Sequence, residues 1–300
     1  MKKILEDRSF KIAIIISILF LGTGFVFLHF EMIAYGWAFF IILPIVLGVS
    51  IGALPNKKTA YSGAFIGASI FFILLLAGNL EGFICVLMAL PIIIPMMFLG
   101  TIISHLLKRY RIIKSTNKLN TLLLPFFIFL ISIPLENDKN MPEIIKVETE
   151  VILPYSNTKV YNTIKNVDTL DTNKPFLMRL DLPIPQKCIL EKEEIGALRT
   201  CYFEGGKIIE RVTALEKGKL LKMEVIEYQL TGRSWLEFKE AIYTFDKVND
   251  SMCKMTRITT YTSKLYPRKY WEPLERIGIE QEHQYVIDNL KKDLKNNYLK

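Results

Sequence analysis

The residues of this chain best suited to chemistry lie in its second half: Arg199, Cys201, Glu210 and His283. Arg199 and Glu210 flank Gly205-Gly206, a turn marker between two stretches of alternating polarity. Folding 197–215 about that Gly-Gly puts Arg199, Cys201 and Phe203 on one face with Ile208, Glu210 and Val212. Cys201 is then expected opposite Glu210, with Arg199 its diagonal neighbour and within reach for an ion pair. Facing inward, the pair could orient a ligand head group or tune a proton donor. It could equally fix the fold as a structural ion pair, or face solvent. His283 falls on the apolar stripe of a long terminal helix. There it could act as an acid or base near neutral pH, or serve as a core histidine with a backbone partner. Tyr261, Tyr270 and Trp271 cluster where that helix begins. They could lock the helix onto a sheet or rim a cavity mouth.

The remaining reactive groups set limits. The four cysteines have no metal-ligand spacing, and two of the three histidines, His29 and His105, lie at the ends of apolar stretches. No metal and no cofactor is expected. Cys188 and Cys201 are symmetric about Glu194-Ile195 and could face each other across a hairpin. A disulfide would then form in an oxidising compartment, although directly paired strand positions often give poor S–S geometry. No phosphate loop, nucleophile elbow, paired zinc-histidine motif or paired-carboxylate pattern is found.

These residues are positioned by an α+β domain, expected over 144–300. A first strand is read at 144–153, and Pro154 and Ser156 or Asn157 end it and cap a short helix at 157–167. Six strands follow, near 186–193, 197–204, 207–215, 219–228, 236–247 and 252–263, separated by Gly196, Gly205-Gly206, Gly218 and Asn249-Asp250. A helix from about Pro267 to Asn296 closes the chain, with the stripe Leu274, Ile279, His283, Val286 or Ile287, Leu290 and Leu294. A curved antiparallel sheet must cover one face, and this helix can do it. The expected architecture is a helix grip, with a ligand cavity between sheet and helix.

Two segments carry a family resemblance. IGALRTCYFEGGKIIERVTALEKGKLLKMEV, with Gly196-Ala197, Arg199, Cys201, Phe203, Gly206 and Glu210, resembles the polyketide cyclase/dehydrase and lipid transport group of the START-like (SRPBCC) superfamily. TTYTSKLYPRKYWEPLERIGIEQEHQYVIDNLK resembles its last strand and helix, with Tyr261, Pro267, Tyr270-Trp271 and His283 at matching positions. The resemblance covers 144–297 and none of the front half. It implies a cavity lined by Arg199, Cys201, Phe203, Glu210, Tyr261, Trp271 and His283. That superfamily includes carriers, receptors and cyclases, so the resemblance speaks to fold more than to function.

The first 135 residues are different. Five apolar stretches, 12–30, 37–54, 61–78, 82–104 and 119–135, are each about 17–23 residues long, enough to cross a ~30 Å hydrocarbon core. The expectation is a helical bundle of five crossings, then a polar linker at 136–143 (ENDKNMPE). Basic residues sit before the first stretch (Lys2, Lys3, Arg8, Lys11), after the second (Lys57, Lys58) and after the fourth (Lys108, Arg109, Arg111, Lys114, Lys118). The two other loops carry only Glu31 and Glu81. The positive-inside rule then places the amino terminus in the cytoplasm and everything after the fifth stretch outside the inner membrane. If the fifth stretch, which contains Pro125, fails to cross, the domain faces the cytoplasm instead. The first stretch is too long for a signal-peptide core and has no cleavage site, so it reads as a retained helix.

The net charge of +8 is concentrated in this front half, whose 11 basic and 4 acidic residues leave the rest nearly neutral. It is an orientation device, and nucleic-acid binding is excluded on that ground. Ionisable groups are absent from the stretch interiors, which argues against an ion path. Pro44, Pro91, Pro95 and Pro125 read as tolerated kinks, and Gly63 and Gly67 as a helix-packing pair, within one chain or between chains. Abundant Ile, Lys and Asn suggest an AT-rich bacterial genome.

Together these features point to a multi-pass membrane protein whose outer domain binds a hydrophobic or lipid-like molecule without catalysis. One alternative is a cyclase- or dehydratase-like enzyme using His283 with Arg199 and Glu210. Another is a structural or assembly partner of a second membrane protein, or a homo-oligomer.

Overall fold

The computed structural model describes residues 2–136, 143–230 and 235–296. The chain folds as two compact units, one built mainly from residues 1–140 and the other mainly from 141–300. The expected linker at 136–143 lies almost wholly outside the described residues.

In the first unit a short helix α1 (Lys2–Leu5) precedes α2 (Arg8–His29). The Asp7 carboxylate caps α2, accepting from the Ser9 and Phe10 amides at 2.7 and 3.3 Å. The second apolar stretch forms a π-helical turn, Ala38–Ile42, that runs into α3 (Leu43–Ala53). Pro44 explains the wide turn: it has no N–H to close the bond four residues back, and the Leu43 amide reaches Ala38 instead. Then come α4 (Lys57–Ala77) and α5 (Phe83–Arg109), which absorbs Pro91 and Pro95. The fifth stretch is broken into α6 (Leu119–Leu123) and α7 (Phe126–Ser132) around Pro125.

Among the described residues, only α2, α4 and α5 are long and apolar enough to cross a membrane as single helices. The two further crossings expected, at the second and fifth stretches, form shorter apolar helices, Ala38–Ala53 and Leu119–Ser132. The second and fifth stretches have the right composition, but a proline shifts one hydrogen-bond ladder and interrupts the other.

Close helix packing in this unit runs through glycine. A Cβ on Gly63 would sit 2.4 Å from the Phe10 carbonyl oxygen, and one on Gly67 would sit 2.9 Å from that of Ile14. The Gly63/Gly67 pair therefore serves contact between α4 and α2 of the same chain. A second pair, Gly48 and Gly100, brings α3 and α5 together: a Cβ on either would fall 2.0 Å from a carbonyl oxygen of the other helix. Lys108 donates to the Gly52 carbonyl at 2.7 Å, satisfying the end of α3.

The second unit is a seven-stranded antiparallel sheet in the order β1-β7-β6-β5-β4-β3-β2. The strands are β1 (Ile145–Leu153), β2 (Pro185–Leu190), β3 (Leu198–Phe203), β4 (Gly206–Glu216), β5 (Leu220–Leu230), β6 (Leu236–Asn249) and β7 (Met252–Ser263). Helices α8 (Asn157–Ile164) and α9 (Phe176–Arg179) lie between β1 and β2, and α10 (Arg268–Asn296) follows β7. Ser156 caps α8 through the Lys159 amide. The predicted meander is present from β2 to β7, and β1 adds at its far edge, Ile145 opposite Tyr261 through Leu153 opposite Cys253. Bulges at Ile209/Glu210, Val212/Ala214 and Phe238/Glu240 bend the long strands and curl the sheet into a half-barrel.

Its inner face carries Leu153, Val212, Leu221, Met223, Tyr243, Phe245 and Met255, all buried against Tyr285, Val286, Ile287, Leu290 and Leu294 of α10. The inward stripe of α10 starts at Trp271 and Glu275, both buried, while Leu274 is half-exposed. The stripe is thus one residue out from the sequence reading at its start.

Replacing Gly63 by Leu should lower the stability of the full chain in mild detergent by about 2 kcal/mol, through overpacking against α2. Gly22→Ala, where a Cβ meets nothing within 4 Å, should be neutral. Equal unfolding midpoints for Gly63→Leu and Gly22→Ala would contradict the assigned helix contact.

Candidate functional site in the hollow of the sheet

The β3–β4 hairpin closes through a two-residue turn, Glu204-Gly205, with Gly205 at φ +89° and Phe203 opposite Gly206. The left-handed position requires glycine. This register places Arg199 directly opposite Glu210 and Cys201 opposite Ile208. The expected Cys201–Glu210 pairing is therefore off by two residues, because the turn is centred one position earlier than Gly205-Gly206.

Arg199 and Glu210 form an ion pair at 2.8 Å, both buried. The rest of the guanidinium is also held. Nε donates to the Lys165 carbonyl at 3.2 Å, and Nη2 is directed at the Ile164 carbonyl at 3.5 Å. Arg199 thus closes the carboxy end of α8, where carbonyls lack helical partners. Burial opposes its charge, but the Glu210 carboxylate and the Tyr243 side chain outweigh it and hold the Arg199 pKa above its ordinary value.

Cys188 lies opposite Cys201, and the two form a disulfide. The backbone groups of Cys188 bond to Val167 on the other side at 2.8 Å. The cysteine pair is therefore the close, non-hydrogen-bonded kind, with Cα atoms 4.1 Å apart. The bond packs beside the ion pair, Cys201 Sγ being 3.9 Å from Glu210 Oε2. Phe203 is half-buried at the hairpin end.

His283 has no exposed surface. Its Nδ1 lies 2.8 Å from Thr149 Oγ1 and its Nε2 2.8 Å from Thr259 Oγ1. Both ring nitrogens are thereby occupied by hydroxyls from β1 and β7. Burial, and secondarily the Arg257 charge, push its pKa down to about 2, so the ring is neutral. No hydrogen bond links it to Arg199 or Glu210 among the described residues.

Tyr261 is also fully buried. Its hydroxyl donates to Glu275 Oε2 at 3.1 Å, and Ser263 donates to Glu275 Oε1 at 2.7 Å. Trp271 is buried with its ring edge-on to Tyr270, centroids 4.9 Å apart. The Glu275 bonds fix the start of α10 on β7.

Sequence reasoning missed Glu275, Tyr243, Arg257 and Glu282. Arg257 shares the inner face of β7 with Met255, Thr259 and Tyr261, and Tyr243 is its direct partner on β6. Its Nη2 binds Glu282 at 2.7 Å, and its guanidinium carbon lies 5.5 Å from the centre of the Tyr243 ring. Arg199 approaches the same ring at 5.9 Å from three strands away, a consequence of the curl. The hollow thus contains one buried and one partly buried ion pair converging on one tyrosine. A strict period-two reading of 253–263 would have put Arg257 inward; the usual expectation that arginine faces water concealed it.

No group of histidine, cysteine, aspartate and glutamate side chains suited to a metal ion occurs among the described residues.

No protein-family model matches the chain, and no curated protein matches it. Among solved structures it is similar to a norcoclaurine synthase point mutant from Thalictrum flavum in complex with a transition-state analogue. That match has 17% identity, a TM-score of 0.37, and covers 53% of this chain and 99% of that one. It is also similar to the Zhui aromatase/cyclase from a Streptomyces, with 11% identity, a TM-score of 0.37, and 52% and 96% coverage. A START superfamily protein from Mycobacterium smegmatis matches with 11% identity, a TM-score of 0.38, and 50% and 97% coverage.

Two outcomes are expected. Glu210→Leu leaves a buried guanidinium without its counter-charge and should cost about 3 kcal/mol, whereas the Arg199→Met/Glu210→Leu double variant should recover more than half of that. Denaturant midpoints of the four proteins of this cycle measure it; a double variant no better than the single would reject a fold-fixing pair.

The second concerns acid. Because the His283 pKa is depressed in the folded state, its contribution is constant above the unfolded value near 6.5. It is lost progressively as pH falls below that value, as the unfolded chain takes up the proton. Between pH 7 and 5 this amounts to about 2 kcal/mol. His283→Gln should be less stable at pH 7 yet lose less on acidification, and equal acid sensitivity in the two proteins would remove the assignment.

Proposed function

We propose that the chain is a multi-pass membrane protein whose helix-grip domain binds a hydrophobic or lipid-like molecule and does not transform it. The observation that carries this reading is the contrast within the hollow. His283, the candidate acid–base group, is neutral with both nitrogens bonded to threonines, and Arg199 is fully occupied by Glu210 and the end of α8. A polar interior arranged in this way fixes a scaffold and is poorly suited to proton transfer. The sequence resemblance to lipid-transport members of the START-like group supports the same class of ligand. The cyclase- or dehydratase-like alternative requires His283 to gain a proton, against its pKa of about 2.

The domain faces the outside of the inner membrane in this reading. Two independent features support that side. The basic residues before the first apolar stretch, and after the second and fourth, all fall inside if the second stretch crosses, and a crossing by the fifth then carries the domain outside, although neither is one long helix. The Cys188–Cys201 disulfide belongs to an oxidising compartment. No ligand of nucleic-acid type fits, since the charge excess lies in the front half. A membrane-protein partner or a homo-oligomer remains compatible with the anchor, and co-purification from mild detergent distinguishes these.

The full chain purified in mild detergent should yield a defined lipid or amphiphile on organic extraction and mass spectrometry, beyond that in a matched membrane-protein control. An extract identical to the control would sink the binding reading. A reporter enzyme active only outside the cytoplasm, fused after Lys300, should be active; activity confined to a cytoplasmic reporter would reverse the orientation.

A further inference from the structure

We infer that Arg257 receives the head group of the bound molecule, and that this head group is a carboxylate. The inference rests on the binding reading above and names the chemistry of its ligand. Arg257 lies on the inner face of β7, with only 8% of its surface exposed. Its Nη2 donates to Glu282, while Nε and Nη1 have no acceptor. Three N–H bonds of a buried guanidinium are thus unpaired. Leaving such donors without partners is costly, the more so on a charged group.

Among the described residues, no acceptor reaches Arg257 Nε or Nη1. Thr149, its direct neighbour on β1, is engaged with His283, and so is Thr259. Tyr243 presents its ring, which stabilises the charge but accepts no conventional hydrogen bond. Arg199, the other buried arginine, provides the internal comparison: each of its three nitrogens is directed at an oxygen of the protein. The same fold therefore gives each nitrogen of one inner arginine an acceptor and leaves two nitrogens of the other without one among the described residues.

A group that completes Arg257 must bring acceptors and no competing donors. A carboxylate does so with two oxygens and one negative charge, and hydrogen bonds between ions are about twice as strong as neutral ones. A phosphate monoester would bring nearly a second negative charge beside Glu282, at a greater desolvation cost than the single charge of a carboxylate. An alcohol would supply one oxygen and a donor of its own. The apolar remainder of such a ligand would lie among the inward side chains of β5–β7 and α10.

The test uses the full chain in nanodiscs of zwitterionic phosphatidylcholine, titrated calorimetrically with decanoate, decanol and decyl phosphate, with empty nanodiscs subtracted. Decanoate should bind at least ten-fold more tightly than either of the others. Arg257→Lys, which keeps the charge but not the planar set of donors, should abolish that preference. If Arg257→Lys lowers the unfolding midpoint too far, the Arg257→Met/Glu282→Gln double variant removes both charges together and should show the same loss of preference. Equal affinity for decanoate and decanol, tighter binding of decyl phosphate, or a preference that survives both variants would overturn the carboxylate assignment and leave the binding reading standing. If none of the three binds and extraction recovers no lipid, the binding reading itself falls.

Discussion

A helix laid across the hollow of a curled sheet must bury whatever lies on its inward stripe, and in α10 that stripe is not purely apolar. It carries Glu275, His283 and Asn289 among Trp271, Ile279, Leu290 and Leu294. Each polar group can be buried only if the surrounding elements supply its partners. They do so from different places. Tyr261 and Ser263 of β7 serve Glu275, and threonines of β1 and β7 serve His283. The loop before α9 serves Asn289, whose side chain accepts from the Asp171 and Thr172 amides and donates to Thr172 and Tyr285. These matched groups set the position of α10 along the sheet, which apolar contacts alone would leave free to slide.

The same logic separates the two buried arginines. Arg199 connects three elements, β3, β4 and the end of α8, and its role is complete within the protein. Arg257 connects β7 to α10 through Glu282 and stops there. Its incompleteness is informative because it falls on a charged group. The disulfide between Cys188 and Cys201 joins β2, the outer strand of the sheet, to β3 beside the first ion pair, so this end of the half-barrel is held both covalently and electrostatically.

In the helical unit, association depends on backbone approach. Gly63 and Gly67 against α2, and Gly48 against Gly100, bring helices to distances at which a methyl group would collide with a carbonyl oxygen. Proline acts in the opposite direction. At Pro44 it widens a turn and at Pro125 it ends one helix and starts another, so that hydrophobic content and helix length part company.

The sequence by itself determined the elements: all seven strands, the capped helix after β1 and the long terminal helix follow from period-two alternation, turn glycines and a four-residue apolar repeat. Those are local properties, fixed by backbone geometry within a few residues. It also singled out Arg199, Glu210 and His283, leaving open whether the first two face inward or toward solvent, and the alternating basic loops are readable without any structure. What the tertiary structure decided was partnership. The position of β1 beside β7, the two-residue shift that sets Arg199 against Glu210, the pair of threonines around His283 and the inward Arg257 all depend on contacts between segments distant in the chain. A register is settled by the closure of one turn, and a buried polar group is satisfied or left open by strands that the local pattern cannot see.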